Sequence, residues 1–272
     1  MDFLLKIGSQ TFRVDHKHPI HISIPLLFNG PQPNTYDIPI AKSQAYQGEG
    51  WVGDVREGSG CNFETYEFTP HCNGTHTECI GHISEERISV HHQLKDSLIP
   101  STVISVEPQL GREVSDQYLP ELDANDLVIT KATIENALNV MDGFLDALII
   151  RTLPNSETKK ERRYAEKNPA FFTIEAMEYI RDLGVKHLLI DLPSVDRTFD
   201  EGRLTAHHIF WEMPLGSHTV DIEKVSEKSI TEMIFVPNEV LDGHYLLNLQ
   251  MAAFVSDASP SRPILYELEA ID

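Results

Sequence analysis

The sequence predicts an α/β fold that is rich in β-strands at both ends. Residues 1–60 contain short alternating segments, such as 21–26, between loops rich in glycine, proline and asparagine. From about residue 127 the pattern changes to strand followed by helix, and strand-like segments return after residue 205. We find no internal repeat, linker or break in composition. Residues 1–272 are therefore predicted to form a single domain.

The predicted elements follow from apolar periodicity and from their boundary residues. Alternating or wholly apolar runs predict strands at 63–68, 101–106, 127–130, 147–152, 185–191, 205–211, 230–236, 245–254 and 264–268. Helical spacing predicts helices at 131–140 and 174–183. Thr173 suits the N-cap of the second helix, and Gly184 can end it in the left-handed conformation. The charged segment 155–168 is predicted to be an exposed loop or a short solvated helix.

Charge and cysteine content restrict the classes of partner and compartment. The formal net charge of −20 argues against nucleic acid and against anionic membranes as partners, because both attract basic surfaces. No run approaches the roughly 20 apolar residues that a membrane-spanning helix needs. The first residues lack the features of a signal peptide. Three cysteines, Cys61, Cys72 and Cys79, suit reduced thiols, so we expect a cytoplasmic protein.

Residues 71–82 carry the strongest chemical signal in the chain. Cys72, His76, Glu78 and His82 lie at offsets of 0, 4, 6 and 10, so a strand would direct all four side chains to one face. Thiolate, imidazole and carboxylate groups are ligands of zinc and related divalent ions. His71 competes for the first position, but its odd offset would place it on the opposite face of a strand.

A three-ligand set leaves one metal position for water, which is the usual catalytic arrangement. Cys72, His76 and Glu78 supply such a set, and a metal-bound hydroxide would be the nucleophile. Cleavage of an amide also needs a proton donor to the leaving nitrogen, and His82 is the candidate for this general acid/base. The alternative is that these histidines are ordinary core or surface residues.

The segment resembles the signature His-x-Gly-Thr-His-x-Asp-x-Pro-x-His of the cyclase family of metal-dependent hydrolases. This family includes bacterial-type kynurenine formamidase and isatin hydrolase. The matching residues are Gly74, Thr75, His76 and His82. The residues that differ are Cys72 for the first histidine, Glu78 for the aspartate and Ile80 for the proline. Similar family segments lie at 148–152, 191–196, 206–207, 231–232 and 257–262.

The resemblance implies a single α/β domain of the swivelling β/β/α type that forms a homodimer or homotetramer. It implies one or two metal ions, the first held by Cys72, His76 and Glu78, with His82 as the catalytic acid/base. Glu78 would bridge to a second ion held by His207 and Glu232. His208 is the alternative to His207, and the preceding Ala206 favours His207.

The expected activity is hydrolysis of a C–N bond in a small amide or lactam, as in an arylformamidase. A cysteine ligand favours zinc, with manganese as the alternative. Glutamate in place of aspartate moves the carboxylate outward by one methylene. Two other functions stay open: a non-catalytic relative that binds a ligand, and a cyclase or dehydratase that uses the same metal and histidine.

Overall fold

A nine-stranded mixed sheet forms the centre of the computed structural model, which describes residues 3–166 and 168–271. In this part of the chain the strands are β1 (Phe3–Ile7), β2 (Gln10–Val14), β3 (Ile20–His21), β4 (Lys42–Ala45), β5 (Gln47–Gly48), β6 (Trp51–Val52), β7 (Glu64–Glu67), β8 (His76–Glu78), β9 (Leu98–Val106), β10 (Gln109–Leu110), β11 (Leu127–Ile129), β12 (Ala147–Thr152), β13 (Phe171–Phe172), β14 (His187–Ile190), β15 (Ser229–Glu232), β16 (Gly243–Asn248), β17 (Ala258–Pro260), β18 (Ile264–Tyr266) and β19 (Leu268–Ile271). The α-helices are α1 (Pro70–Asn73), α2 (Val90–Gln93), α3 (Lys131–Ala137), α4 (Ile174–Asp182) and α5 (Thr205–Phe210).

The central sheet has the strand order β17-β8-β15-β14-β12-β9-β16-β18-β3. Its middle strands β15, β14, β12 and β9 run parallel to one another. The outer strands pair antiparallel, so β8 lies between β15 and β17. This order places a short strand from residues 76–78 beside two strands from the last fifth of the chain.

Alternate side chains of β12 show how the sheet is buried on both faces. Leu148 and Ile150 belong to the core beneath helices α4 and α5, whereas Ala147 and Ile149 belong to the core on the other face. All six residues of β12 are buried. Its first four residues are all apolar, as expected for a parallel strand covered on both faces.

Most of the predicted elements are present with small shifts of their ends. The strand at 147–152 is confirmed residue for residue, and the helix predicted at 174–183 is α4. The hydroxyl of Thr173 accepts a hydrogen bond from the N–H of Ala176, and Gly184 has φ +79°. The predicted α/β class is therefore confirmed.

The strand predicted at 205–211 is wrong, because this segment is the helix α5. The carboxylate of Asp196 accepts hydrogen bonds from the N–H groups of Ala206 and His207, at 2.6 and 3.2 Å. It thus satisfies two of the N–H groups that the first turn of a helix leaves free. The residue that stabilises this helix lies nine positions before its first residue, outside any local pattern.

The described part of the charged segment, residues 155–166 and 168, contains two short 3₁₀ turns, and Lys159 in the first of them is buried. Lys159 is only 2% exposed, and its Nζ lies 2.6 Å from Oδ2 of the fully buried Asp191. The expectation of an exposed segment is wrong at this residue. Within the described residues, no helix has the length and apolarity needed to cross a membrane.

Candidate metal centre

The histidine-rich segment 71–82 forms three short elements instead of the single strand that its even spacing suggested. Helix α1 covers Pro70–Asn73, strand β8 covers His76–Glu78, and a 3₁₀ turn covers Ile80–His82. Thr69 is the N-cap residue of α1 and Pro70 occupies its first turn, a position that proline favours. Side chains in a helix do not alternate between two faces, so the argument that placed His71 away from the other ligands does not hold.

Strand β8, which lies next to the edge strand β17 of the central sheet, carries two of the candidate ligands. His76 lies opposite Glu232 of β15, and Glu78 lies opposite Ala258 of β17. The pairing fixes both side chains, because strands on each side saturate the backbone of β8. Helix α5 contributes His207 from the adjacent core face.

Three imidazoles and two carboxylates meet in a buried cluster. His207 Nε2 lies 2.9 Å from Glu78 Oε1, and His71 Nδ1 lies 3.0 Å from Glu78 Oε2. His76 Nε2 lies 3.4 Å from Glu232 Oε2, and His207 Nε2 lies 3.9 Å from Glu232 Oε1. We refer to these five side chains, of His71, His76, Glu78, His207 and Glu232, as the metal centre.

Each imidazole of the metal centre turns its second nitrogen toward an outer acceptor. His71 Nε2 is hydrogen-bonded to Asp257 Oδ2 at 2.9 Å, and His207 Nδ1 is hydrogen-bonded to Asp196 Oδ2 at 2.5 Å. His76 Nδ1 lies 3.0 Å from the backbone carbonyl two residues before it. Metal-binding histidines usually have such an outer partner, which fixes the orientation and tautomer of the ring.

Two buried ligand atoms show that the cluster suits a divalent ion. Among the described residues, His76 Nε2 and Glu78 Oε2 have no hydrogen-bond partner. Buried polar atoms are nearly always paired, and an unpaired one costs roughly 1–3 kcal/mol. An ion between these atoms would satisfy both, and imidazole nitrogen and carboxylate oxygen are suitable ligands for zinc and manganese.

The pKa values of side chains in the centre are shifted by burial and by the charged groups next to them. Burial opposes the charged ring of His71, but the carboxylates of Asp257 and Glu78 outweigh this effect and raise the pKa of His71 to about 10. Burial also opposes the charged form of His207, yet Asp196 and Glu78 hold its pKa well above 6.5. Burial, with the charge of Glu78 beside it, raises the pKa of Glu232.

His82 lies at the edge of the metal centre. Its ring stacks on that of His71 with centroids 4.2 Å apart, and its Nδ1 lies 3.9 Å from Glu78 Oε2. The same Nδ1 lies 3.6 Å from Asp257 Oδ2. The side chain is 28% exposed, whereas that of His76 is fully buried, so His82 is open to an entering molecule.

The structure thus brings together His76, Glu78, His82, His207 and Glu232, all of which the sequence analysis singled out. Among the described residues, three groups offer ligand atoms within 4.8 Å of one another: His71, His76 and Glu78; His71, His82 and Asp257; and Glu78, His82 and His207.

Cys72 belongs to none of these groups, and His71 lies where the thiolate was expected. The Cys72 thiol is buried, which together with the charge of Glu232 raises its pKa to about 11. His208, which follows His207 in the sequence, is buried too, and its Nδ1 has no hydrogen-bond partner among the described residues. The contacts to Glu78 and Glu232 are made by His207, the residue that the preceding Ala206 favoured.

The sequence analysis did not identify the two outer carboxylates, of Asp257 and Asp196, as partners of the histidines, and it placed His71 away from the other candidate ligands. Asp257 follows no recognisable motif of its own, although the sequence analysis noted its segment, 257–262. Asp196 ends the segment 191–196, which was also noted, but nothing in its spacing indicates a contact with His207. The helix-start signal of Thr69 and Pro70 could have corrected the placement of His71.

Two exposed aromatic rings border the metal centre. The rings of Tyr36 and Phe199 lie edge to face with centroids 6.3 Å apart, and they are 50% and 69% exposed. Burial of its hydroxyl end and the nearby charge of Glu232 raise the pKa of Tyr36 to about 12. Tyr36 therefore lies close enough to Glu232 for the charge of this carboxylate to act on its hydroxyl.

Comparison with known proteins gives one family and several solved structures. The sequence profile of a family described as "Putative cyclase" matches residues 14–197. No curated protein matches the chain. A structure described as a potential metal-dependent hydrolase with cyclase activity is 18% identical, with a TM-score of 0.62, over 93% of this chain and 98% of its own.

Two further structures share the fold. A predicted metal-dependent hydrolase from Bacillus stearothermophilus is 16% identical, with a TM-score of 0.57, over 92% of this chain and 98% of its own. An isatin hydrolase bound to the product analogue thioisatinate is 12% identical, with a TM-score of 0.58, over 93% of each chain. At these identities the likeness establishes the fold, a mixed α/β architecture with few helices.

Proposed function

The chain belongs to the cyclase family, and from that premise we propose that it is a metal-dependent hydrolase that cleaves a C–N bond of a small amide or lactam. The observation that carries the proposal is the pair of buried, unpartnered ligand atoms, His76 Nε2 and Glu78 Oε2, at the middle of three imidazoles. The isatin hydrolase among the structures of the same fold supports the choice of a lactam or amide.

The residues of the metal centre divide into those that would hold an ion and those that would handle protons. His71, His76, Glu78, His207 and Glu232 would bind one or two divalent ions. When bound, such an ion supplies Lewis acidity, which polarises a substrate carbonyl and acidifies water. The ligand atoms that lie within 4.8 Å of one another are nitrogen and oxygen atoms, which suit manganese as well as zinc.

His82 is placed to transfer a proton at the open edge of the centre. Its Nδ1 faces the carboxylates of Glu78 and Asp257, which leaves Nε2 for the substrate. Imidazole exchanges protons near neutral pH, and a leaving nitrogen needs one proton as the C–N bond breaks. His82 would donate this proton.

The rings of Tyr36 and Phe199 would contact the flat face of an aryl amide or lactam, since they lie exposed beside the centre.

A direct assay tests the proposal. Purified protein is mixed with isatin and with N-formylkynurenine, before and after treatment with a chelator, and its metal content is measured in parallel. We expect turnover that the chelator abolishes and that added metal restores. His76→Ala is the matched variant, because it removes an inner ligand with an unpaired nitrogen and should lose both metal and activity.

The alternatives predict other outcomes. A non-catalytic binding relative would show no turnover of any amide or lactam in a wider panel. Metal content near zero that His76→Ala leaves unchanged would contradict the proposed metal site itself. A cyclase or dehydratase would give chelator-sensitive turnover with products that retain the C–N bond, which mass spectrometry of the products would detect.

A further inference from the structure

We propose that Asp257 is a positioning residue that holds His71 as a ligand of the metal centre, in the place that the sequence motif assigns to Cys72. The inference rests on the proposed function, because it assumes that the centre binds a metal. It concerns two residues of this chain, one before the motif and one far from it in sequence.

The first argument is the geometry of His71. Its Nε2 is hydrogen-bonded to Asp257 Oδ2 at 2.9 Å, while its Nδ1 lies 3.0 Å from Glu78 Oε2. Despite that short separation, Glu78 Oε2 has no hydrogen-bond partner among the described residues, because the two groups are not aligned for a hydrogen bond. A nitrogen and an oxygen that approach without bonding to each other suit a shared ion between them.

The second argument is the repetition of this arrangement within the same centre. His207 also has one nitrogen on an outer aspartate, Asp196 at 2.5 Å, and the other on Glu78 at 2.9 Å. Two histidines on different elements therefore lie between Glu78 and an outer carboxylate. Such outer carboxylates orient a ligand ring, fix its tautomer and strengthen the nitrogen as a donor.

The third argument is that the backbone of Asp257 is fixed to the motif. The N–H of Cys79 donates to the carbonyl of Asp257 at 3.1 Å, and the next residue, Ala258, pairs with Glu78. A Cβ built on Gly81 would lie only 3.4 Å from Cβ of Asp257, so the two segments are in close contact. The carboxylate therefore keeps a constant position relative to His71 and His82.

The same oxygen of Asp257 also lies 3.6 Å from His82 Nδ1, and the rings of His71 and His82 stack. Asp257 thus limits the orientation of two adjacent imidazoles at once. Cys72 has no comparable arrangement, because its sulfur lies within none of the groups of ligand atoms found in the described residues.

The zinc affinity of protein from which the metal has been removed tests the proposal. Zinc is titrated against a chromophoric chelator with wild type and Asp257→Asn, and the affinity of the variant should fall by about 10–100-fold, the usual effect of losing an outer partner. Asp96→Asn is the matched control, because Asp96 also contacts a histidine, His187 at 3.4 Å, but outside the centre. It should bind zinc as wild type does.

A double variant separates positioning from a general structural effect. If Asp257 acts through His71, then Asp257→Asn should cost affinity in wild type and nothing further in a His71→Gln background. Additive losses would overturn the proposal. If Asp257→Asn fails to fold, as judged by circular dichroism, the comparison of His71→Gln with Cys72→Ser decides: only the first should weaken zinc binding.

Cobalt provides a spectroscopic readout of the ligand set. Cobalt bound by nitrogen and oxygen ligands should lack the near-ultraviolet absorption of a thiolate ligand, and Cys72→Ser should leave the spectrum unchanged. A thiolate band that disappears in Cys72→Ser would overturn the proposal. Wild-type protein that binds no metal would contradict the proposed function as well, whereas normal metal binding by Asp257→Asn would contradict the role of Asp257 alone.

Discussion

His82 lies farther from the carboxylate of Glu78 than His71 and His207 do. Its Nδ1 lies 3.9 Å from Glu78, against 2.9 Å for the nearest contact of His207 to the same carboxylate. We therefore propose that His82 transfers protons and that the other three rings bind the metal. This division was predicted from the sequence for His76, His82 and His207.

The role of His82 can be tested by substitution. We expect His82→Gln to lower kcat by about 10²–10⁴-fold, because it removes the general acid, and to leave the metal content unchanged. Steady-state kinetics and metal analysis on the same preparation check both parts. A variant that loses its metal along with its activity would show that His82 is a ligand instead.

Metal binding should release protons even in mildly alkaline solution. The raised pKa of His71, about 10, means that the metal-free protein carries a proton there at pH 8, whereas an ordinary histidine, with a pKa of about 6.5, would be neutral. A nitrogen that binds a metal must be deprotonated, so uptake at pH 8 should release about one proton or more per chain.

Calorimetric titration in two buffers of different ionisation enthalpy measures this release. His71→Asn should release fewer protons than wild type under the same conditions. Metal binding at pH 8 with no proton release would contradict the charge state inferred for His71 and His207.

The choice between His71 and Cys72 as a candidate ligand shows what residue spacing alone cannot predict. Cys72 fits the spacing of the motif, whereas alternation along a strand would place His71 on the face opposite to the other candidate ligands. The backbone turns helical between Pro70 and Asn73, so spacing by two no longer defines a face. Asp257 was missed because its contact with His71 spans 186 positions and depends on the pairing of β17 with β8.

At the scale of elements, prediction succeeded where the signal is local. Strand β12 begins with four consecutive apolar residues, and helix α4 has its own N-cap residue in Thr173. Helix α5 was predicted as a strand because six residues are too few to show a helical period. Its first turn is stabilised by Asp196, which no local pattern reveals. This failure lies close to the metal centre, because α5 carries His207.

The buried ion pair of Lys159 and Asp191 connects the 3₁₀ turn at 157–161 to the ends of β12 and β14. Lys159 Nζ also lies 2.6 Å from the carbonyl of Thr152. We expect Lys159→Ala to lower the free energy of unfolding by about 3–5 kcal/mol, because it leaves the buried carboxylate of Asp191 without its counter-ion.

Urea denaturation of this variant beside Lys160→Ala checks the prediction. Lys160 is the neighbouring cation, its side chain is 39% exposed, and its partner Glu157 is exposed as well. Its removal should change the unfolding free energy by about 1 kcal/mol or less, because it loses an exposed ion pair and the contact of Nζ with the Phe235 ring. Equal effects of the two variants would contradict the importance of the buried pair.

At the scale of the whole molecule, the metal centre joins elements that are distant in sequence. Its residues come from α1, β8, α5 and β15, and Asp257 precedes β17. The unfolded chain has no such site, so a bound ion stabilises only the folded state. At a free metal concentration about 1,000 times the Kd, the gain is about 4 kcal/mol.

Removal of the metal should therefore lower the thermal unfolding midpoint of the wild type. Differential scanning calorimetry with and without a chelator measures the shift, and His76→Ala should show none. If the unfolding midpoint of metal-loaded wild type did not respond to the chelator, a metal site built from these distant elements would be contradicted.

The homodimer or homotetramer implied by the family stays a prediction, which light scattering of the purified protein can check.

The position of β8 between β15 and β17 has a consequence for synthesis of the chain. The motif at residues 71–82 leaves the ribosome early, but its neighbours in the sheet, residues 229–232 and 258–260, are made near the end. Until those residues are made, both strands that pair with β8 in the folded protein are missing. Metal acquisition must therefore follow translation, and a nascent chain halted before residue 229 should bind the ion no better than a denatured one.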